Sequence, residues 1–151
     1  MMDIQAFQEF RAGLGVLHDG NAQNAIPHFR SAFEREPSNP FYLSYLGMAL
    51  GAGEQQWVEA EKLCRSAVKM SRHHAQLYLN LAEVYTAADR KQEAADALSQ
   101  GLRYVPGDTR LKMAISRLAT RRTPVLSFLP RDHVVNRKLG KIRHNVIRMW
   151  A

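Results

Sequence analysis

Residues 75–106 read AQLYLNLAEVYTAADRKQEAADALSQGLRYVP, and the spacing in this stretch decides the fold. Tyr78, Leu81, Ala82 and Tyr85 recur at three- and four-residue intervals, the period of one face of a helix. Ala88-Asp89-Arg90 then interrupts with turn chemistry. A second helical pattern follows, Ala94-x3-Leu98-x2-Gly101, and closes five residues later on Pro106, which suits a helix end. Two amphipathic helices joined by a short turn form a helical hairpin.

The same signature stands twice more upstream. One copy is Ala25-x3-Phe29-x2-Ala32-x4-Pro37; the other is Ala60-x3-Cys64-x2-Ala67, with Arg72 in the proline slot. The leading alanines lie 35 and 34 residues apart. Leu46-Gly47 followed by Leu50 opens the second copy, and Gly13 with Val16 is the weaker opening of the first. Turn signals fall between helices at Asp19-Gly20-Asn21 and at Gly51-Ala52-Gly53-Glu54. The second copy holds one extra residue within Gly51–Gln56. Pro37, Pro40 and Pro106 punctuate the ends of second helices. Small residues (Gly13, Gly47 and Ala82; Ala25, Ala60 and Ala94) sit where two helices cross, because a larger side chain would hold the backbones apart. Phe29, Tyr78, Tyr85 and Leu98 fill the space beside them.

This pattern resembles the tetratricopeptide-repeat (TPR) family, whose motif runs W-x2-L-G-x2-Y, then A-x3-F, then P. The resemblance covers roughly residues 4 to 106. It implies an all-α chain: a right-handed α-solenoid of three TPR hairpins with a capping helix and an extra C-terminal helix. The expected division is three repeats over 1–106 (about 4–37, 39–72 and 74–106), a cap over 107–122, and a tail over 123–151. A stack of repeats needs a cap with a polar outer face. Asp108 or Thr109 can start one, with Leu111, Ala114, Ile115 and Leu118 turned inward and Arg110, Lys112, Arg117, Arg121 and Arg122 turned outward.

In TPR proteins the first helix of each hairpin lines a concave surface that holds peptides or helices. The resemblance places Phe7, Phe10, Leu14 and Leu17 on it from the first repeat, Phe41, Ser44 and Met48 from the second, and Gln76, Leu79, Asn80, Glu83 and Thr86 from the third. The chaperone-binding TPRs grip a C-terminal carboxylate there with lysine, arginine and asparagine. Here the places are mostly apolar, so that grip is disfavoured and an apolar peptide or helix is the expected ligand. Each large apolar side chain gains roughly 1.5–3 kcal/mol on full burial, which makes a permanently wet groove costly. Leu14 and Leu17 have the second reading of packing against the next hairpin. The implied function is a protein-binding adaptor or chaperone-like scaffold. Its three-repeat size is similar, in architecture only, to the small TPR chaperones of bacterial type III secretion, from which the basic tail sets it apart.

The chain carries a formal charge of +7 over 151 residues, unevenly spread. Residues 1–109 hold ten Lys/Arg against thirteen Asp/Glu, a net of −3, while residues 110–151 hold eleven against Asp132 alone, a net of +10. Within the tail, Val125, Leu126, Phe128 and Leu129 lie between Pro124 and Pro130 and read as an extended apolar linker. Asp132 then opens a helical pattern to about Met149. Val135, Leu139, Ile142, Val146 and Met149 make an apolar seam with Trp150 beside it, and Arg137, Lys138, Lys141, Arg143 and Arg148 make a basic face. Four readings stand: folding back over the acidic body or pairing with a second copy as a homodimer, recruiting a partner, docking on an anionic membrane, and binding nucleic acid.

Nothing in the pattern suggests an enzyme. There is no P-loop, dinucleotide glycine pattern or HExxH, so no cofactor or metal is expected. Gly13-Leu14-Gly15 lies inside a repeat helix and follows no strand, which reads as packing. The adjacent His73 and His74 diverge on a helix and read as surface; His133 and His144 are too far apart for a chelating pair. Cys64 fills an aromatic slot of the motif and reads as buried and inert. One cysteine, no apolar run of eighteen residues and an acid-dotted N-terminal stretch make the cytoplasm the expected compartment.

Overall fold

The computed structural model describes residues 3–120, with the side chain of Thr120 left aside. The chain divides into two units, Met1–Arg117 and Leu118–Ala151. The expected linker and basic helix of the tail lie outside the described residues.

Seven helices follow one another among those residues: α1 (Ile4–His18), α2 (Ala22–Arg35), α3 (Pro40–Glu54), α4 (Trp57–Met70), α5 (Ala75–Ala87), α6 (Lys91–Tyr104) and α7 (Thr109–Thr120). They pair as three antiparallel hairpins, α1–α2, α3–α4 and α5–α6, stacked as an α-solenoid, with α7 following the third. Local chemistry sets several starts. Asp3 accepts hydrogen bonds from the backbone N–H groups of Gln5 (2.8 Å) and Ala6 (3.1 Å), Asn39 accepts from Phe41 (3.0 Å), and Asp108 accepts from Arg110 (2.9 Å) and Leu111 (3.2 Å). Pro40 opens α3 at its first turn, where a missing N–H costs nothing.

The crossings are as tight as the small residues imply. A Cβ at Gly13 would lie 2.7 Å from the Phe29 ring, and one at Gly101 2.9 Å from Tyr78 Cγ. Phe29, Tyr78 and Leu98 are buried, and Leu111 of α7 closes over the third hairpin beside Gly101. Between the first two hairpins Phe10 sits against the rings of Phe29 (5.7 Å), Tyr42 (4.8 Å) and Tyr45 (5.2 Å). Glu61 of α4 joins the third hairpin to the second. It accepts from the Tyr85 hydroxyl (2.9 Å) and pairs with Arg90, whose guanidinium lies 4.7 Å above the Tyr85 ring. Arg65 pairs with Glu61 as well (3.0 Å); against the opposing effect of burial, these hydrogen bonds and the two arginines hold the Glu61 carboxyl below its ordinary value.

Two expectations need correcting. Gly51-Ala52-Gly53-Glu54 is not a turn: α3 runs through it, and the chain reverses at Gln55, which takes a left-handed φ of 56°. Both glycines serve packing. A Cβ at Gly53 would lie 2.7 Å from the backbone nitrogen of Gln23 at the start of α2, and one at Gly51 3.2 Å from the Trp57 ring. In Gly13-Leu14-Gly15, by contrast, only Gly13 is a packing glycine; Gly15 is exposed, and a Cβ there would meet nothing within 4 Å. Gly15→Ala is therefore expected to raise stability by about 0.5–1 kcal/mol through helix propensity alone. Urea denaturation checks this, and a loss of stability would mean that something packs on that side of α1.

Candidate interaction surface

The repeat brings equivalent positions of the first helices into rows. Phe7, Phe41, Gln76 and Arg110 occupy one place on α1, α3, α5 and α7, at intervals of 34, 35 and 34 residues. Leu14, Met48, Glu83 and Arg117 form a second row two turns further on. The face therefore changes character along the stack. Its α1–α3 end is apolar and its α5–α7 end is polar and charged.

Of the expected lining residues, Phe7 is the most open large apolar one, 39% exposed, with the Arg11 guanidinium 5.9 Å from its ring centre. Phe10, Leu14 and Leu17 are partly buried against the core cluster around Phe29 and Leu46, so the packing reading holds for them in part. Phe41 is partly buried against Ala6, Ala32 and Tyr42, with the His74 ring edge-on at 5.1 Å. Met48, Leu79, Gln76 and Thr86 are partly buried, and Glu83 is exposed.

Ser44 and Asn80, expected on the lining, are not open to solvent. They are 0% and 2% exposed and meet at the α3–α5 contact, where Asn80 Nδ2 donates to Ser44 Oγ at 3.0 Å. Asn80 Oδ1 accepts from Gln76 Nε2 at 2.8 Å. A buried amide left unpaired costs about 1–3 kcal/mol, so this pair locks the register of the two helices.

Two residues of the face are not among those read from the sequence. Tyr45 packs against the rings of both Phe10 (5.2 Å) and Phe29 (5.7 Å), and burial pushes its pKa up. Its position reads as ordinary core, because Leu43, Leu46 and Leu50 surround it in sequence. Arg110 donates to Asp108 Oδ2 (2.9 Å) and reaches Gln76 Oε1 (3.4 Å), so the first turn of α7 completes the polar end. Its bond to Asp108 holds that carboxyl low. The equivalence of Arg110 with Gln76 is legible only if α7 is counted as a further first helix.

Cys64 lies behind this face, 0% exposed, with Sγ donating to the Ser44 carbonyl oxygen at 3.3 Å. Burial pushes its thiol up to about 12, so almost no thiolate exists at neutral pH. A thiol reagent such as Ellman's is expected to label the native protein at least ~100-fold more slowly than the urea-unfolded chain. Equal rates would contradict the burial. His73 and His74 are exposed, and no group of three or more His, Cys, Asp or Glu among the described residues is disposed to hold a metal. No helix among them is long and apolar enough to cross a membrane.

A family model described as tetratricopeptide repeat matches residues 52–118. Solved structures share the fold. The second TPR domain of human RPAP3, in complex with an HSP70 peptide SGPTIEEVD, is 22% identical with a TM-score of 0.61, over 77% of this chain and 96% of that one. The TPR2B domain of yeast Sti1, in complex with an Hsp70 peptide, is 16% identical with a TM-score of 0.64, over 80% and 100%. The Yersinia enterocolitica type III secretion chaperone SycD, in complex with a peptide of the translocator YopD, is 15% identical with a TM-score of 0.60, over 75% and 86%.

Proposed function

Because residues 52–118 match the tetratricopeptide-repeat model and the described hairpins share that fold, we propose that the chain works as an interaction module whose first-helix face holds an apolar segment of another polypeptide. The observation that carries this is the apolar half of that face. Phe7, Phe41 and Met48 remain partly open over a floor of Phe10, Leu14 and Tyr45. Nothing in that half matches the acidic end of a peptide such as SGPTIEEVD except Arg11, and Arg110 at the other end is already engaged by Asp108. The ligand chemistry is thus apolar contact with few charges. The role proposed is that of an adaptor or chaperone-like scaffold in the cytoplasm.

A calorimetric titration with a short amphipathic helical peptide rich in leucine, set against SGPTIEEVD, tests the reading. The leucine-rich peptide is expected to bind at least ~10-fold more tightly, and Phe7→Glu with Met48→Glu to abolish the difference. Tighter binding of SGPTIEEVD, or no effect of the two substitutions, would sink it.

The charge split adds a regulator to this proposal. The seam Val135, Leu139, Ile142, Val146 and Met149 has the chemistry of the proposed ligand, and residues 110–151 carry a net +10 against −3 for the rest. On this reading the chain's own C-terminal stretch competes for the face, in the same molecule or from a second copy. A chain ending at Arg122 should then bind more of an apolar dye than the full chain; unchanged dye binding rules competition out. The other reading of the basic stretch is docking on an anionic membrane or nucleic acid. Salt-sensitive sedimentation with vesicles or RNA, lost in the same truncation, would favour it.

A further inference from the structure

On the second-helix side a half-open depression of about 350 Å³ lies between α4 and α6. Its floor is Leu81, Tyr85 and Ala97, apolar and nearly buried, and charged side chains form the rim. These charges are not equivalent. Arg65 and Glu93 of the rim are tied to each other through Glu61 and Arg90 by contacts of 2.5–3.0 Å, and the four make a neutral set. Asp96 accepts from Gln92 at 3.1 Å.

Lys69 and Arg103 are different. They hold corresponding places in the last turns of α4 and α6, both exposed, and neither has an ion-pair partner among the described residues. Cations suit a helix C-terminus, which explains why each of the two helices carries one in its last turn. It leaves their donors open to solvent beside an apolar floor. A depression of this size is at the lower end of ligand sites.

The geometry points to a second docking site here, for an acidic segment of another polypeptide. An apolar side chain of that segment rests on Leu81, Tyr85 and Ala97, and adjacent carboxylates meet Lys69 and Arg103. Lys69 and Arg103 outnumber the exposed Asp96 on that rim, so the chain's own basic C-terminal stretch has the wrong sign for it. The site is separate from the first-helix face and stands whether or not that face binds as proposed above.

Fluorescence anisotropy with labelled acetyl-GEELEELG-amide at low salt tests it, alongside acetyl-GQQLQQLG-amide. Binding of the acidic peptide only is expected, weakened about tenfold or more by Lys69→Glu with Arg103→Glu and unchanged by Phe7→Glu with Met48→Glu. Circular dichroism and melting of the charge-reversed protein establish that it is folded; Ala97→Gln, which obstructs the floor without altering charge, should weaken binding as well. Equal binding of the two peptides, no binding of either, or indifference to all three substitutions would overturn the proposal. Tighter binding of phosphatidylserine vesicles or poly(A) RNA, lost in the same charge-reversed protein, would overturn it in favour of a phosphate surface.

Discussion

Replacing Phe29 by alanine is expected to cost about 3–5 kcal/mol, and to open the first hairpin before the rest of the stack. Phe29 is 0% exposed and fills the notch left by Gly13, with its ring against Phe10 and Tyr45. Its removal leaves a cavity that cannot collapse, because Gly13 has no side chain to enter it. The same loss unseats Phe10, which links α1 to Tyr42 and Tyr45 of α3. In a solenoid each hairpin leans only on its neighbours, so the damage should be graded along the chain. Hydrogen exchange should lose protection in α1 and α2 first, then α3, while α5 and α6 keep theirs. Urea denaturation gives the total, and a cost under about 1 kcal/mol with uniform exchange would contradict this account of the first interface.

The architecture was legible because packing at helix crossings demands small residues at fixed intervals, and Ala25, Ala60 and Ala94 advertise that period. Asp108 was legible as a cap for a similar reason, since its chemistry acts within three residues of its own position. What failed was reading glycine as a turn former. Gly51 and Gly53 are needed for close approach to Trp57 and to the start of α2, and the helix runs through them. The true reversal falls on Gln55, whose left-handed backbone no local pattern announces.

The face was only half legible. The positions that line it follow from helical register, and Phe7, Phe41 and Met48 are where the period puts them. Whether a polar side chain at such a position meets a ligand or a neighbouring helix depends on the partner opposite. Ser44 faces Asn80, 36 residues away, and the two satisfy each other. No single-helix pattern contains that pairing. Tyr45 was hidden in the opposite way: its ring packs on Phe10 and Phe29, yet it stays partly open.

Gly47→Ala is the companion to Gly15→Ala and should have the opposite sign. Both substitutions place one methyl group on a first helix and gain about 1 kcal/mol of helix propensity. At Gly15 nothing opposes the gain. At Gly47 the new Cβ would lie 2.9 Å from the Ala60 carbonyl oxygen, 2.9 Å from Cys64 Sγ and 3.1 Å from Leu63 Cβ. Two of these contacts are backbone or the first atom of a side chain, so no rotamer change relieves them. α3 and α4 must move apart along the crossing. Such overpacking costs about 3 kcal/mol, which leaves a net loss near 2 kcal/mol. The separation should also loosen the shield over Cys64, so the thiol should label faster in native Gly47→Ala than in the parent. If Gly47→Ala matched Gly15→Ala in stability and Cys64 stayed protected, the small residues at the crossings would not be what sets the distance between the helices.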